Sequence, residues 1–575
     1  NNTIPQWLDL WISKGEFDPL SYAYPGEKSS SLLVEKRLRF NEIQFDIVYT
    51  WVNGSDERHQ ELRKIYYNGD GHKAANSENR YRDYDELRYS VRSVEMFLGR
   101  FVNKIFIIAT DFDKEEVTKK GRTQLSEIMQ VPRWLNTTWK DCVTGEPRVQ
   151  MVKHSEIFTD RSLLPTFNSL AIESQMMNIR NLSDQVLYLN DDQFFGKALS
   201  PIDFWTPLYG QVFHLEHHLT IPPNHYGSAE DVGEWYSLYY TNRLLSKRFG
   251  SRFRPYVSHS VHSLSTSILR SMVAEFPEEF KFTSSHRFRN SALDLHTTFF
   301  FTHYVMEKHR EALLRSFLIY KMDVNHNMNY ELSERKAILK ELGDGNVLST
   351  PRKTLEDYQT ILRRAEIYET KETNYKWSSM DGSCRLDLEY CFGNEFMSDD
   401  ENILVDVNSV FKEVTVKKIE CGDCIIQHLV SKSEERGLKA LLPSEELEGK
   451  ENTGDEGDSI YEPMIPNSNV PMSYRTLAIT EISRYSYVIG GSSFQFIYLD
   501  HPMKTWDNLK HISEERPSIF CLNDEVGSDV QELNRIKEYV RQFMREYFYN
   551  VSMYEISSDD GSDGIWGWFK RLLFL

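Results

Sequence analysis

Nowhere does this 575-residue chain string together the roughly 20 apolar residues that a bilayer-spanning helix needs. Basic residues are in deficit: 67 Lys and Arg stand against 86 Asp and Glu, a net charge of -19. A general nucleic-acid binder needs a basic footprint, so that class is excluded, although a local basic pocket for a nucleotide diphosphate is not. Cysteine is scarce, at six: Cys142, Cys384, Cys391, Cys421, Cys424 and Cys521. Cys421-Gly-Asp-Cys424 has no second CxxC to complete a zinc site, so the cluster between 384 and 424 reads as disulfides of an oxidising compartment. The first residue is Asn1 rather than Met, which leaves room for a signal or membrane anchor ahead of it. No internal repeat is evident.

What is present is ordinary globular composition, 40% hydrophobic and 27% charged, in a chain too long for one core. Two or three structural units are expected. Aromatics reach 13%, enough to line clefts as well as cores. Residues 1–40 read as an arm. Phe45 to Val52 is an apolar, β-branched run that predicts a buried strand, broken by Asn53-Gly54-Ser55-Asp56. Leu87, Val91, Val94 and Leu98 predict a helix over 84–98. Further strands are expected at 104–110 and 185–189, with a helix over 168–180 between them. Alternating strands and helices imply a mainly parallel sheet and an α/β class. Helices are expected over 234–249, 263–280, 292–320 and 528–548, and strands near 487–489 and 494–499. Residues 346–470 read as a linker or insert, most acidic from Ser444 to Asp458. The tail, 551–575, is apolar and short. Glycosylation triplets begin at Asn1, Asn53, Asn136, Asn181 and Asn550 and give weak support for a secretory location.

Five constellations bear chemistry. Leu189-Asn190-Asp191-Asp192 puts two carboxylates at the end of a buried strand, where open α/β sheets bind ligands. Adjacent carboxylates repel unless a cation compensates, and oxygen ligands suit Mg²⁺ or Mn²⁺ against a diphosphate. Asp46, Trp51, Asn53 and Asp56 flank the first strand; an indole or amide there suits a nucleotide, and equally a core or a turn. Arg80 to Arg88 holds Arg82, Asp83 and Arg88, either a diphosphate clamp or a salt-bridged helix start. His259, His262, His286, Arg287 and Arg289 offer a general base and a charge-stabilising cation. Asp323, Asn325, Asn327, Asn329, Glu331 and Glu334 fall at positions 1, 3, 5, 7, 9 and 12 of an EF-hand loop, with predicted helices over 311–321 and 333–341. Position 6 of such a loop wants glycine and here carries Met328.

The ordered set of motifs resembles the Stealth family. Asp46-Ile-Val-Tyr-Thr-Trp-Val-Asn-Gly54 is similar to its first block, and Arg82-Asp-Tyr-Asp-Glu-Leu-Arg-Tyr-Ser-Val-Arg-Ser93 to its second. The third resembles His154–Phe158, Leu164–Ser174, Tyr188–Asp192 and Phe195-Gly196; the fourth, His259 through Phe276–Phe280 to His286–Arg289 and Asp294. Cys521-Leu-Asn-Asp524 looks like a C-terminal block of the animal members. The family contains bacterial capsule polymerases, the lysosomal-enzyme N-acetylglucosamine-1-phosphotransferase α/β subunit and fungal xylosylphosphotransferases. Cys-rich Notch-like repeats are lacking here, which points toward a fungal-type relative.

The resemblance implies a Rossmann-like, mainly parallel catalytic core over 41–310, with an EF-hand-like segment at 311–345 and a C-terminal α+β part at 471–550. It implies transfer of sugar-1-phosphate from a UDP-sugar (UDP-xylose or UDP-N-acetylglucosamine) to a mannose-containing glycan, with UMP leaving. Family position makes Asp46, Asp192, His259 and Arg289 the expected catalytic residues. Trp51, Asn53, Arg82, Asp83, Arg88, Asn190, His262, His286 and Asp294 are then expected at the substrates. Asp191 and Asp192 are expected to hold Mg²⁺ or Mn²⁺, and the loop from Asp323 to Glu334 Ca²⁺. A Golgi or secretory-lumen enzyme is implied, and a homodimer is compatible with it. Two rival readings remain at this point: a metal-dependent glycosyltransferase releasing UDP, and a non-catalytic lumenal calcium-binding protein.

Overall fold

The first strand, β1 (Phe45–Thr50), has Phe45, Ile47, Val48 and Tyr49 fully buried, as a continuous apolar run requires when both faces of a sheet are covered. In the computed structural model of the chain the described residues are 44–67, 81–112, 128–142, 144–206, 210–227, 234–289, 293–343, 346–347, 375–376, 384–432, 438, 440–443 and 473–556. The arm expected over 1–40, the acidic stretch Ser444 to Asp458 and most of the tail lie outside them.

Beside β1 run β2 (Val102–Ala109), β3 (Val149–Lys153) and β4 (Gln185–Asn190). The order is β4-β1-β2-β3, all parallel, and β1 pairs with β4 in the register Asp46↔Val186 through Thr50↔Asn190. The chain therefore winds to both sides of β1, and the sheet's topology switches between β1 and β4. The expected parallel α/β sheet is present. Helix α1 (Glu86–Phe97) buries Leu87, Val91 and Val94, and Leu98 caps it, so the i, i+3, i+4 stripe faces the sheet as read.

After β4 the chain turns at Asp191-Asp192 and enters β5 (Gln193–Phe195), which belongs to another sheet. Its neighbours come from far along the chain: β9 (Phe494–Leu499) and β10 (Ile519–Asp524) are parallel to each other, and β10 runs antiparallel to β5 with Cys521 opposite Gln193. The acidic pair thus sits at the hinge between two sheets.

Two expected helices came out shorter. Over 168–180 there is one helix, α2 (Ser169–Glu173), capped by Asn168, and a tight turn at Met176–Asn178. Ser174 and Gln175 between them are buried, with Ser174 donating back to the Ala171 carbonyl and Gln175 to that of Ser174. Over 263–280, β6 (His262–Ser265) adds an antiparallel edge to β4. A helix then spans Thr266–Glu275, capped by Ser265, and a separate one starts at Pro277, whose ring cannot continue the first. Helices α3 (Trp235–Phe249) and α4 (Thr297–Arg315) are close to expectation, and α4 runs on as a wide turn to Lys321.

Helix α4 is buried nearly all round, charges included. Arg248 pairs with Glu275 (2.6 Å) and Glu311 (2.7 Å), Arg254 with Glu307 (2.7 Å), and Arg310 and Arg252 with Asp423. Beyond it, β7 (Asn329–Tyr330) pairs antiparallel with β8 (Val405–Asp406). Between them lies α5 (Leu332–Leu342), whose Arg335 is fully buried and donates to the carbonyls of Glu395, Phe396, Ser398, Asp400 and Ile403. The four clustered cysteines form Cys384–Cys424 and Cys391–Cys421, so the pairing expectation holds and Cys421-Gly-Asp-Cys424 is no zinc half-site.

Candidate active site at the carboxyl edge of the sheet

Thr50 and Asn190 end β1 and β4 side by side, and the side chains around them form one connected line. The Tyr188 hydroxyl donates to Asn190 Oδ1 at 3.0 Å and lies 3.0 Å from Thr50 Oγ1. With Oδ1 so occupied, Asn190 turns Nδ2 toward His259 Nε2, 3.5 Å away. Gln193 fixes the same corner, accepting from the Asn190 amide (3.1 Å) and donating to the His259 carbonyl (3.2 Å). Asp192 completes it: an Asp192 oxygen, a His259 ring nitrogen and Cys521 Sγ lie within 4.8 Å of one another. The Cys521 thiol is buried and donates to Asp192 Oδ2 at 3.4 Å, while Leu522 N donates to the Asp192 carbonyl at 3.0 Å. Burial, then the Asp192 charge, pushes the thiol well up, so it stays protonated.

Negative charge is concentrated here. Burial, then Asp192 and Asp83, raises the Asp191 carboxyl well above the ordinary range. Burial, then Asp83 and Asp191, does the same to Glu86. Burial raises Asp192, and His259 partly offsets it. None of these four carboxylates forms an ion pair with Lys or Arg among the described residues, and Asp192 Oδ1 is buried without a hydrogen-bond partner. An orphaned carboxylate oxygen beside three further carboxylates is an electrostatic deficit of the kind a hard divalent cation removes, so the donor set fits Mg²⁺ or Mn²⁺.

A second polar group lies on the β6 side. His262 stands opposite Tyr188 and stacks on its ring at 6.3 Å; burial, then His259, holds its imidazole far below the usual range, hence neutral. Glu234 accepts from the Tyr256 hydroxyl at 2.6 Å and faces His296 Nε2 at 3.2 Å. Burial would raise its carboxyl, but His296 overrides this and keeps it ionised. Glu173 reaches Tyr188, and its carboxyl is raised by burial against the pull of His296 and Arg289. Arg289 is held by Ser169 Oγ, through Nε at 3.1 Å and through Nη2.

Several expected residues are placed differently. Asp46 begins β1, and the register sets it five residues, about 16 Å, from Asp191. It is fully buried and accepts from Asn103 Nδ2, Lys104 N and Ser183 N, so it ties loops together at the opposite edge. Trp51 is 7% exposed and packed in the core, with no face left for a base. Asn53 bonds its own turn and Gln130. Arg82 is bound to Asp524 (3.0 Å) and the Val526 carbonyl, and Arg88 to Glu555 and Asp85; neither fork is free to clamp a diphosphate. His286 and Asp294 bond each other at 2.5 Å, with Asn168 on the other Asp294 oxygen, so they brace the loop that carries Arg289. Asp83 does lie near the acidic group. Glu86, Glu173, Glu234, His296 and Cys521 were not expected; Glu86, Glu173 and Cys521 stand inside quoted motifs, which was the available signal.

In the loop from Asp323 to Glu334, Asp323 Oδ2 accepts from Met328 N at 3.1 Å and its Oδ1 is buried without a partner. Glu334 accepts from Val324 N and Glu331 N, while Asn325 and Asn327 each cap a turn two residues on. Met328 adopts φ 62°, the left-handed conformation that glycine takes more easily.

Comparison with known proteins identifies the family. Three models match in order: Stealth protein conserved region 1 at 44–71, conserved region 2 at 123–213 and conserved region 3 at 258–307. A 3-O-α-D-mannopyranosyl-α-D-mannopyranose xylosylphosphotransferase of Cryptococcus neoformans var. grubii is 25% identical in an alignment 710 positions long that covers 95% of this chain and 78% of that protein. An exopolysaccharide phosphotransferase of Streptomyces coelicolor is 36% identical across 40% of this chain and 22% of its own length. The exopolysaccharide phosphotransferase CpsY of Mycobacterium tuberculosis is 34% identical across 51% and 50%. With all three conserved regions in order around one sheet edge, the chain belongs to the Stealth family.

Proposed function

We propose that the chain transfers a sugar-1-phosphate from a UDP-sugar to a hydroxyl of a mannose-containing glycan, with UMP leaving. The observation that carries this is Asp192: a carboxylate at the switch between β1 and β4 with one oxygen unpartnered and His259 beside it. The relatives' names support the reaction class. UDP-xylose is the first donor to test, since the Cryptococcus relative is named for xylosylphosphate and a mannosyl-mannose acceptor.

Asp191 and Asp192 would hold Mg²⁺ or Mn²⁺, with Asp83 and Glu86 behind them. Bound there, the ion would neutralise charge on the diphosphate. The chain's own groups do the rest. Asn190 presents Nδ2 to His259 Nε2 at 3.5 Å, and an acceptor hydroxyl taking the place of that contact would have His259 as its general base. The acceptor oxygen bonds to the β-phosphorus as the bond from that phosphorus to the UMP oxygen breaks, and the acceptor proton moves to His259. Arg289, oriented by Ser169, stabilises charge on the phosphoryl group in flight. The loop from Asp323 to Glu334 takes Ca²⁺, with the orphaned Asp323 Oδ1 as the observation in favour. The two disulfides support an oxidising compartment, and we place the enzyme in the Golgi or secretory lumen.

The test is nucleotide release from each UDP-sugar with Mn²⁺ or Mg²⁺ and a mannose oligosaccharide. UMP appearing only with acceptor is expected. UDP instead would make the chain a glycosyltransferase, and neither nucleotide with any donor would count against catalysis.

A further inference from the structure

Cys521 is a soft donor in a site of hard ones. The reaction described above makes no use of its sulfur, yet that sulfur is 3.4 Å from Asp192 Oδ2 and within 4.8 Å of a His259 nitrogen. Sulfur, imidazole and carboxylate at this spacing are the ligand types that Zn²⁺ binds tetrahedrally, with bonds of about 2.0–2.3 Å and ligand separations of about 3.3–3.8 Å. The Cys521–Asp192 separation already lies in that range, and the His259 nitrogen is no more than about 1 Å beyond it. His259 and Asp192 are partly exposed, which gives an ion an entry side, and Asp192 Oδ1 still lacks a partner.

We infer that Asp192, His259 and Cys521 bind a thiophilic divalent ion, Zn²⁺ or Cd²⁺, and that this ion blocks sugar-phosphate transfer. As the sulfur–metal bond forms, the thiol proton leaves to solvent and the Cys521–Asp192 hydrogen bond is lost. The ion ties down His259 and Asp192 together, removing the base and a carboxylate in one event. Mg²⁺ and Mn²⁺, which favour oxygen, have no such use for the sulfur. Blocking, unlike binding, rests on the transferase reading.

Binding is tested without turnover. Cd²⁺ is titrated into the whole chain carrying Cys142→Ser, which removes the exposed free thiol, and ultraviolet thiolate-to-cadmium charge transfer is followed. One equivalent of band is expected, absent when Cys521→Ser is added and weakened at least tenfold in affinity by His259→Ala. A full band after Cys521→Ser, or none in the Cys142→Ser parent, overturns the site. Should Cys521→Ser fail to fold, His259→Ala, at a partly exposed position, decides the matter alone. For blocking, the Zn²⁺ concentration that halves UMP release should rise more than tenfold in Cys521→Ser. An unchanged value places the inhibitory ion elsewhere. Lack of UMP from the wild type would sink the transferase reading and leave the cadmium result standing.

Discussion

Buried and half-buried acids occur in two regions of this molecule under opposite conditions. Around α4 each carboxylate named above has its guanidinium: Glu311 with Arg248, Glu307 with Arg254, Asp423 with Arg310. At the end of β4, Asp83, Glu86, Asp191 and Asp192 have none among the described residues. The outcome is opposite too. Burial would raise Glu311, but Arg248 and Lys308 override it and hold the carboxyl down at about 2. Glu86 and Asp191 are driven up. Four acids left without a cation at a sheet's switch point, in a chain that pairs its acids elsewhere, mark that point as the candidate binding site.

The largest effect that sharpens this contrast is expected from Asp192→Asn. UMP formation should fall by roughly a thousandfold or more, the scale of losing a main electrostatic group. The metal-free melting temperature should hold or rise, because an uncompensated buried charge is gone; a sharp fall would place Asp192 among the structural acids. Arg310→Leu should do the reverse. It takes one of two guanidiniums from Asp423 and leaves the buried carbonyls of Thr415 and Ile419 without their donor, and should cost about 1–3 kcal/mol in chemical denaturation. A loss under 1 kcal/mol would break the comparison.

Acid sensitivity comes next. Glu311 is depressed from 4.5 to about 2, so its contribution is complete above 4.5 and lost as pH falls toward 2, where the unfolded chain binds the proton first. Glu311→Gln should flatten stability across that window, and an unaltered slope would refute the assignment. Tyr188→Phe removes the donor that orients Asn190 and should lower kcat about tenfold with KM little changed. The smallest effect is at the EF-hand-like loop. Met328→Gly relieves the left-handed backbone at position 6 and should tighten Ca²⁺ severalfold by calorimetry.

How much could be read beforehand depended on how far apart the partners are in the chain. The parallel strands and the acidic turn after Leu189 were legible because a run of buried β residues ending in two carboxylates is a local pattern. Cys521 was not, since 329 residues separate it from Asp192 and only β10 pairing with β5 joins them. Arg82 and Arg88 looked like anion clamps because Asp524 and Glu555, which bind them, are more than 400 residues away. Asp46 was misplaced for another reason. Family position made it catalytic, yet a residue that opens a parallel strand cannot meet residues that close its neighbour, and that much is arithmetic on the strand. Pro277 carried a legible stop that the apolar pattern around it obscured.

The guanidinium of Arg335 has a last consequence. It sits among five carbonyls in the stretch that leads into β8, the partner of the Asp323 loop across the short β7–β8 ladder. A cation covalently tethered to its own cradle cannot be diluted, chelated or competed away. The stretch across the ladder from the Asp323 loop therefore carries its own cation. The Ca²⁺ proposed for the Asp323 loop would then fill a single site, and its titration should follow a simple hyperbola with a Hill slope of one.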